Sequence, residues 1–296
     1  MLTHAGTSTA FDRIRAYGEM VMFSHSLFSL PFALIGLLVA ANGRPHPATA
    51  VWVVVGFMGG RNSANALNRI VDKAIDGRNP RTASRHLPAE TISTGEAWVV
   101  TGFFLGLMIL AAFMLNRTCV YLLPVGGLLI GSYSFMKRFS STSHLVLGAA
   151  CAAAPIGGWV AVTGRVDPAV LLLGTANALW VAGFDVIYAT QDVEFDRREG
   201  LYSIPAVYGV ARGLTVARFI HGIVPVLLIG FGVLIHGGAL YYAGVIAAAA
   251  LLAYQNGMVS AANLRRVTIA SYSVNQVLSV VFFLFVVLDL YLRVRG

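Results

Sequence analysis

Residues 171–196 read LLLGTANALWVAGFDVIYATQDVEFD, an apolar run that becomes acidic over its last twelve residues. The first fourteen of these residues carry no charged side chain. A helix needs about 20 predominantly apolar residues to cross the hydrocarbon core of a bilayer. The stretch therefore predicts a transmembrane helix whose end carries ionisable groups near the membrane surface.

Apolar runs of this kind recur along the whole chain, and no linker or soluble segment interrupts them. An amphipathic stretch containing Phe11, Ile14 and Tyr17 precedes the first run and is expected to lie in the membrane interface. We expect one transmembrane domain over residues 1–296. The pattern predicts an all-α membrane protein with nine transmembrane helices in one bundle, over residues 20–41, 48–71, 94–115, 118–136, 144–163, 168–190, 210–235, 239–262 and 273–292.

The composition agrees with a membrane protein and excludes several other classes. Hydrophobic residues make up 57% of the chain and charged residues 11%, whereas soluble globular domains contain about 25% charged residues. These values exclude a disordered chain, a disulfide scaffold and a soluble nucleic-acid binder. Cys119 and Cys151 lie in apolar runs and are expected to pack as small hydrophobic residues.

The distribution of the basic residues predicts the orientation of the bundle. The net charge is +8. If the N-terminus is cytoplasmic, the cytoplasmic segments hold fourteen Lys and Arg residues and the outer segments hold five. Positive residues are enriched in cytoplasmic segments of membrane proteins. We therefore expect a cytoplasmic N-terminus and a C-terminus outside.

Polar side chains form two stripes, each at the predicted cytoplasmic end of a span. Successive members are three or four residues apart, so each stripe occupies one face of a helix. The first stripe consists of Arg61, Asn65, Asn68, Asp72 and Asp76. The second stripe consists of Asp185, Tyr188, Asp192 and Asp196.

The acids of these stripes require neutralisation. Carboxylates four residues apart repel each other on a helix, and ionisable groups near membrane depth are costly and usually functional. Mg²⁺ neutralises such groups and prefers one or two carboxylates together with substrate phosphates. Two facing stripes could therefore hold two Mg²⁺ ions with a diphosphate between them. The alternative is that the stripes are solvated helix ends, paired with Arg69, Lys73, Arg197 or Arg198.

Two further groups accompany the stripes, Tyr133, Lys137 and Arg138 in YSFMKRF and Arg81 and Arg85 in NPRTASRHLP. With these groups, nearly the whole chain resembles the UbiA superfamily of intramembrane aromatic prenyltransferases. The family's first motif is Asn-Asp-x-x-Asp-x-x-x-Asp, and this chain departs from it because an arginine, residue 69, replaces the second position. The family's second motif, Asp-x-x-Tyr-x-x-x-Asp-x-x-x-Asp, is complete in the second stripe.

The resemblance implies an enzyme that transfers a polyprenyl group from polyprenyl diphosphate to a ring carbon of a hydroxylated aromatic acid. Mg²⁺ is the implied cofactor. Its implied ligands are Asn68, Asp72, Asp76, Asp192 and Asp196.

The resemblance also implies roles for the other residues of the stripes and motifs. Asp185 and Tyr188 would orient or deprotonate the acceptor's phenol, although a core hydrogen bond is an equally simple role for each. Lys73 is the third implied catalytic residue and would neutralise the diphosphate oxygens. Arg61 would pair with the acceptor's carboxylate, or alternatively with a carboxylate of the bundle. The other implied substrate-binding residues are Asn65, Tyr133, Arg81, Arg85, Lys137 and Arg138.

The acceptor is the least determined part of this expectation. The stretch NRIVDKAIDGRNPRTASRHLP, residues 68–88, is similar to a bacterial branch called 4-hydroxybenzoate polyprenyltransferase-like, part of which serves menaquinone made by the futalosine route. A 4-hydroxybenzoate or a dihydroxynaphthoate is therefore expected, in ubiquinone or menaquinone biosynthesis. Other family members use haem, chlorophyllide or glycerol phosphates.

The resemblance also implies a location and a set of partners. We expect an integral protein of the bacterial inner membrane, with its active site facing the cytoplasm. Its partners would be the two substrates and membrane lipid, without nucleic acid or an obligate protein partner.

Two other functions are weaker interpretations of the same residues. The CDP-alcohol phosphotransferases carry an Asp-Gly-x-x-Ala-Arg signature, which this sequence lacks. An ion-coupled transporter would place its acids near the membrane midplane and would have broken helices, whereas these acids gather at one face.

Three smaller features complete the expectations. His144 is expected to be a packed polar residue, with contact to the diphosphate or the acceptor as the alternative. Asp289 and Arg293 are expected to form a structural pair one helical turn apart. The pairs Gly59-Gly60 and Gly157-Gly158 are expected to mark close helix contacts.

Overall fold

The computed structural model describes residues 10–295, apart from the side chains of 10, 24–28, 294 and 295. All regular structure in this range is helical, and the part described contains no strand. The α-helices are α1 (Ala10–Met20), α2 (Phe23–Ala40), α3 (Pro47–Arg78), α4 (Thr94–Leu115), α5 (Arg117–Met136), α6 (Ser143–Thr163), α7 (Pro168–Ala189), α8 (Val193–Arg198), α9 (Ile204–Tyr208), α10 (Val210–Leu234), α11 (Ala239–Gly257) and α12 (Val274–Arg295).

In the part of the chain that the structure describes, a long helix overlaps each of the nine predicted spans, but six segments are long and apolar enough to cross a membrane. The helices at the other three predicted spans are too short or too polar to meet this criterion. The apolar part of α2 whose side chains are described is Ser29–Ala40, and α3 becomes polar over its second half. The third is α11, which ends in the polar sequence YQNG. The six segments are Thr94–Leu115, Arg117–Met136, Ser143–Thr163, Pro168–Arg198, Val210–Leu234 and Ile269–Arg293.

Local sequence explains where the helices begin and end. Proline occupies the first turn of α3 and α7, where its missing N–H leaves no hydrogen bond unmade. Ser93 and Glu96 form a capping box at the start of α4. Met22 adopts a left-handed conformation with φ of 53°, which separates α1 from α2 inside the span predicted to begin at residue 20.

The core of the bundle is aromatic, and its outer surface is apolar. Phe32 stacks on Trp180 with ring centroids 4.9 Å apart, and Tyr241 meets Phe282 edge to face. On the outside, large apolar side chains such as Ile246 remain 70% exposed. An outer surface of this kind suits hydrocarbon rather than water.

Glycines allow two of the helix contacts to be close. A Cβ on Gly59 would come within 2.6 Å of the Met108 backbone nitrogen on α4, and one on Gly158 would overlap the Ala33 carbonyl oxygen on α2. The prediction of close contacts is thus confirmed at these two glycines, whereas Gly157 faces open space. These contacts fix the helices that surround the site.

Asp289 and Arg293 form the expected pair, with 2.8 Å between Nε and Oδ2. Asp289 also accepts hydrogen bonds from the backbone N–H groups of Gly238 and Tyr241. Its carboxylate therefore joins α12 to the start of α11, where the N–H groups have no partner in their own helix.

Candidate active site

A cavity of about 950 Å³ lies among α3, α5, α6 and α7. It contains most of the residues that the sequence singled out, while Lys73 and Asp196 lie outside its wall. The predicted residues that line it are Arg61, Asn65, Asn68, Asp72, Asp76, Arg81, Arg85, Tyr133, Lys137, Arg138, Asp185, Tyr188 and Asp192.

The cavity has an apolar end and a charged end. Along α3 its lining changes from Trp52 and Phe57 to the polar stripe that begins at Arg61. At 1.5 Å per residue, the stretch from Arg61 to Asp76 spans roughly 22 Å. The C-terminal ends of α3, α5 and α7 form the charged end, which we call the charged mouth.

Asp192 is the most strongly bonded acid of the charged mouth. Arg81 donates to both of its carboxylate oxygens, from Nε to Oδ1 at 2.9 Å and from Nη2 to Oδ2 at 2.6 Å. Asn79 Nδ2 donates to Oδ1 at 3.1 Å. Arg81 also donates from Nη1 to the Tyr188 hydroxyl at 2.6 Å, so that one arginine connects two members of the second stripe.

The acids of α3 are bonded in a similar way. Arg85 Nη1 lies 2.7 Å from each oxygen of Asp76. Arg69, the residue that departs from the family motif, lies 3.9 Å from Asp76. It therefore supplies positive charge beside Asp76 at the position where the motif has an acid.

Asp72 has weaker partners than the other acids. Asn68 Nδ2 donates to its Oδ2 at 2.9 Å, and Arg138 Nη2 reaches its Oδ1 at 3.4 Å. The same Arg138 atom makes a shorter bond, at 2.6 Å, to the carbonyl of Val71. The Asp72 carboxylate is therefore the acid of α3 that is most available to a cation in the cavity.

The second stripe does not lie on one continuous α-helix. The helix α7 ends at Ala189, and a 3₁₀ turn over Thr190–Asp192 leads into α8. A 3₁₀ turn has three residues per turn rather than 3.6. The turn therefore changes the helical phase, and Asp196 does not share the cavity-lining face of Asp185.

Asp196 is fully buried, with no exposed surface. Lys137 Nζ donates to its Oδ1 at 3.0 Å, and Ser203 Oγ donates to its Oδ2 at 2.8 Å. Because Lys137 itself lines the cavity, the observed effect of Asp196 is to hold this ammonium group at the charged mouth.

Three other predicted residues are bonded within the protein. Lys73 Nζ donates to Thr94 Oγ1 at 3.3 Å and so points toward α4. Asn65 Nδ2 donates to the Val21 carbonyl at 2.7 Å. The Tyr133 hydroxyl donates to the carbonyl of residue 64 at 2.9 Å. These bonds hold α3 against its neighbours.

Arg61 lies deeper than the charged mouth and has few partners. Its Nη1 donates to Cys151 Sγ at 3.4 Å, and its Nε is buried without a hydrogen-bond partner. Among the side chains that the structure describes, Arg61 has no carboxylate within 4 Å. A guanidinium group that has no carboxylate partner can bind the carboxylate of a ligand without giving up an ion pair.

Asp185 is paired with a residue to which the sequence analysis gave little weight. His144 Nδ1 lies 2.6 Å from Asp185 Oδ2, and both residues line the cavity. The Asn79 contact with Asp192 was also missed, although Asn79 opens the NPRTASRHLP stretch. Long-range contacts of this kind leave no periodic signal in the sequence.

Two cations of the charged mouth keep their charge at neutral pH. Burial opposes the charge of Arg81, but the hydrogen bonds and charge of Asp192, together with the nearby Tyr188 and Tyr272, outweigh burial and raise the pKa of Arg81. Burial likewise opposes the charge of Lys137, but Asp196, together with Asp192 and Asp185, raises the pKa of Lys137 overall. Both groups can therefore neutralise phosphate oxygens.

The donor set suits a divalent cation shared with a phosphate rather than one enclosed by protein. Within residues 10–295, as far as side chains are described, no three His, Cys, Asp or Glu residues are grouped to hold an ion by themselves. Asp72, Asp76 and Asp192 nevertheless line one cavity. Mg²⁺ is commonly held by one or two carboxylates, waters and substrate phosphates, so the residues fit such an ion.

Comparison with known proteins identifies relatives of this chain. The sequence model of the UbiA prenyltransferase family matches residues 29–288. The chain is 31% identical over 254 residues to the 4-hydroxybenzoate octaprenyltransferase of Vibrio cholerae. The matched region covers 83% of this chain and 88% of that relative.

Solved structures give the same result for the fold. The apo structure of a UbiA homolog from Aeropyrum pernix K1 has a TM-score of 0.82 and 30% sequence identity, covering 90% of this chain and 98% of that chain. A UbiA homolog from Archaeoglobus fulgidus bound to GPP and Mg²⁺ has a TM-score of 0.75. At 18% identity, with 93% of this chain and 99% of that chain covered, the second likeness concerns the fold alone.

Proposed function

The chain belongs to the UbiA prenyltransferase family and is a prenyltransferase, and from this premise we propose that it transfers a polyprenyl group from polyprenyl diphosphate to a ring carbon of a hydroxylated aromatic acid. The proposed acceptor is of the 4-hydroxybenzoate or dihydroxynaphthoate type, in ubiquinone or menaquinone biosynthesis. One observation carries the proposal. A single cavity joins a charged mouth to an apolar interior, and between them lies the guanidinium of Arg61, which has no carboxylate partner among the described side chains.

The two ends of the cavity suit the two ends of the donor. Lys137, Arg138, Arg81 and Arg85 place positive charge at the charged mouth, where a diphosphate would be neutralised. The apolar interior would hold the prenyl chain, because burying apolar surface is favourable. The donor would therefore lie with its reactive carbon between the charged mouth and the apolar interior.

The proposed reaction exchanges one bond for another. The bond between the allylic carbon and the diphosphate oxygen breaks, and its electron pair leaves with the diphosphate. A ring carbon of the acceptor supplies the pair for the new carbon–carbon bond. That ring carbon then loses its proton, and the ring becomes aromatic again. Asp185 and Tyr188 would orient the acceptor's hydroxyl, a role supported by their position in the cavity lining beside the charged mouth.

Asp72, Asp76 and Asp192, with Asn68 beside them, are the residues that we propose to hold Mg²⁺. When bound, the ion neutralises diphosphate oxygens and so assists departure of the leaving group. Asp196 contributes through Lys137, to which it is bonded.

Arg61 is the proposed partner of the acceptor's carboxylate. Its Nε is buried without a hydrogen-bond acceptor, which is costly for a polar group unless a ligand supplies one. A planar guanidinium matches a carboxylate through two parallel hydrogen bonds. This contact would place an aromatic acid between the charged mouth and the apolar interior.

We also propose nine transmembrane helices in a bacterial inner membrane, with the N-terminus and the active site facing the cytoplasm and the C-terminus outside. The excess of basic residues on the predicted cytoplasmic side supports this orientation. The charged mouth lies on the same side, because the C-terminal ends of α3, α5 and α7 form it.

The experiment uses the full chain, purified and returned to lipid. Polyprenyl diphosphates of different length are offered with 4-hydroxybenzoate, a dihydroxynaphthoate, haem, chlorophyllide and a glycerol phosphate, and products are identified by mass spectrometry. A prenylated aromatic acid that forms with Mg²⁺ and not with EDTA is the expected result. Product from one of the other acceptors alone would assign the enzyme to another branch of its family.

Matched variants test the site itself. Asp72→Ala and Asp192→Ala are expected to lose transfer, and the proposal would be abandoned if both kept wild-type rates. Uptake of a solute or ion without any prenylated product would favour the transporter interpretation.

A further inference from the structure

We propose that His144 is a positioning residue, which holds Asp185 so that one carboxylate oxygen can accept a hydrogen bond from the acceptor's hydroxyl. This inference rests on the proposed function and adds to it a residue outside both acidic stripes. His144 would act through Asp185 rather than on the substrate itself.

The hydrogen bonds of His144 determine which of its two ring nitrogens carries the proton. Its Nε2 lies 3.3 Å from the backbone nitrogen of Ile204, whose N–H can only donate. The Nε2 atom must therefore accept, and a neutral imidazole then carries its proton on Nδ1. Nδ1 donates to Asp185 Oδ2 at 2.6 Å, and a short bond to a charged acceptor is among the strong ones.

This arrangement leaves one oxygen of Asp185 available. His144 occupies Oδ2, and in the described part of the chain no side chain or backbone group donates to Oδ1. The Asp185 side chain remains 27% exposed and lines the cavity. Lys137, at the end of α5, carries a positive charge that interacts with the Asp185 carboxylate.

The loop that holds His144 also holds the charged mouth. Ile204, whose backbone N–H donates to His144, is the first residue of α9. One residue earlier, Ser203 donates to Asp196, and the backbone N–H of Tyr202 donates to the Lys137 carbonyl at 2.7 Å. The same short segment therefore fixes a cation for the diphosphate and the histidine behind Asp185.

A second buried histidine shows what a structural role looks like in this chain. His221 and His144 are both 2% exposed. His221 bonds to the Trp180 carbonyl and to Asn256 and does not line the cavity. His144 differs because it bonds a carboxylate that faces the cavity. His221 is therefore a matched control for burial and for the number of hydrogen bonds.

The test compares His144→Leu, His144→Asn and His221→Leu in the full chain, with initial rates measured against acceptor and donor separately. Leucine removes both hydrogen bonds. Asparagine keeps a donor, because its Nδ2 occupies the place of the histidine Nδ1. We expect His144→Leu to lower kcat/KM for the acceptor roughly tenfold or more without changing the KM for the donor. His144→Asn should recover most of this loss, and His221→Leu should leave both constants unchanged.

A double variant separates positioning from folding. In an Asp185→Ala background, His144→Leu should cause no further loss, because the carboxylate that it positions has been removed. The inference is overturned if His144→Leu is as active as the wild type, if His144→Asn is no better than His144→Leu, or if the loss persists in the Asp185→Ala background. If His144→Leu does not fold, His144→Ala, which also removes both hydrogen bonds, takes its place in the comparison with His144→Asn and in the Asp185→Ala background. A wild-type chain that prenylates no aromatic acid would instead overturn the proposed function, and this inference with it.

Discussion

Replacing Arg61 with leucine should weaken the enzyme toward acidic acceptors in particular. Among the described residues, Arg61 Nε has no hydrogen-bond partner, and Nη1 has only a thiol at 3.4 Å. A carboxylate that binds there therefore displaces no ion pair, and the whole contact counts toward acceptor binding. Hydrogen bonds to charged groups contribute about 1.5–3 kcal/mol. Because about 1.4 kcal/mol is a factor of ten, kcat/KM for the acceptor should fall roughly 10- to 150-fold.

The assay varies the acceptor at saturating donor and Mg²⁺ and measures the lipid-soluble product. It uses 4-hydroxybenzoate and its methyl ester, which differ in the negative charge of the carboxylate. Arg61→Leu should lower the rate for the acid and leave the rate for the ester nearly unchanged. Cys151→Ala is the control, because it removes the thiol beside Arg61 and leaves the guanidinium in place. The control should behave as the wild type.

Two outcomes would refute this reasoning. An equal loss for the acid and the ester would mean that Arg61 supports the shape of the cavity rather than the acceptor's charge. An equal rise in the KM for the donor and for the acceptor would mean that its charge acts on the diphosphate.

Three further predictions follow from the contacts at the charged mouth and at α12. Arg81→Ala should lower kcat/KM for the donor by about a hundredfold or more, measured from initial rates. Arg81→Lys, measured in the same way, should not restore kcat/KM, because lysine cannot bond Asp192 through two nitrogens. Lys73→Ala should leave transfer nearly unchanged, whereas Lys137→Ala should lower it strongly, and similar rates for the two would contradict the assignment. Asp289→Ala should reduce the free energy of unfolding by about 1–3 kcal/mol, seen as a lower Tm in detergent, while transfer at low temperature is retained.

The sequence predicted the elements that depend on local pattern. Period and hydrophobicity placed the long helices, and the spacing of the first stripe placed Arg61 through Asp76 on the cavity side of α3. That stripe lies on one uninterrupted helix, so 3.6 residues per turn applies over its whole length. The second stripe crosses a 3₁₀ turn, and the same arithmetic therefore placed Asp196 on the wrong face.

The sequence could not predict contacts between distant residues. Lys73 and Lys137 are both lysines of the motifs that the sequence offers for binding the diphosphate, yet one bonds Thr94 on α4 and the other bonds Asp196. The choice depends on how the helices pack, which no local spacing encodes. His144 is a similar case, because its role depends on Asp185, which lies 41 residues further along the chain.

On the proposed function, the ion pairs of the charged mouth would link Mg²⁺ binding to donor binding. Asp76 and Asp192 each accept arginine hydrogen bonds through both carboxylate oxygens, so a cation that takes these oxygens must displace arginine contacts. A partly buried arginine that loses its carboxylate is costly unless another anion replaces it. On the proposed function, the diphosphate is that anion, and Mg²⁺ is the partner that the carboxylates receive in exchange. Each ligand therefore lowers the cost of binding the other, and the coupling free energy is the same whichever binds first.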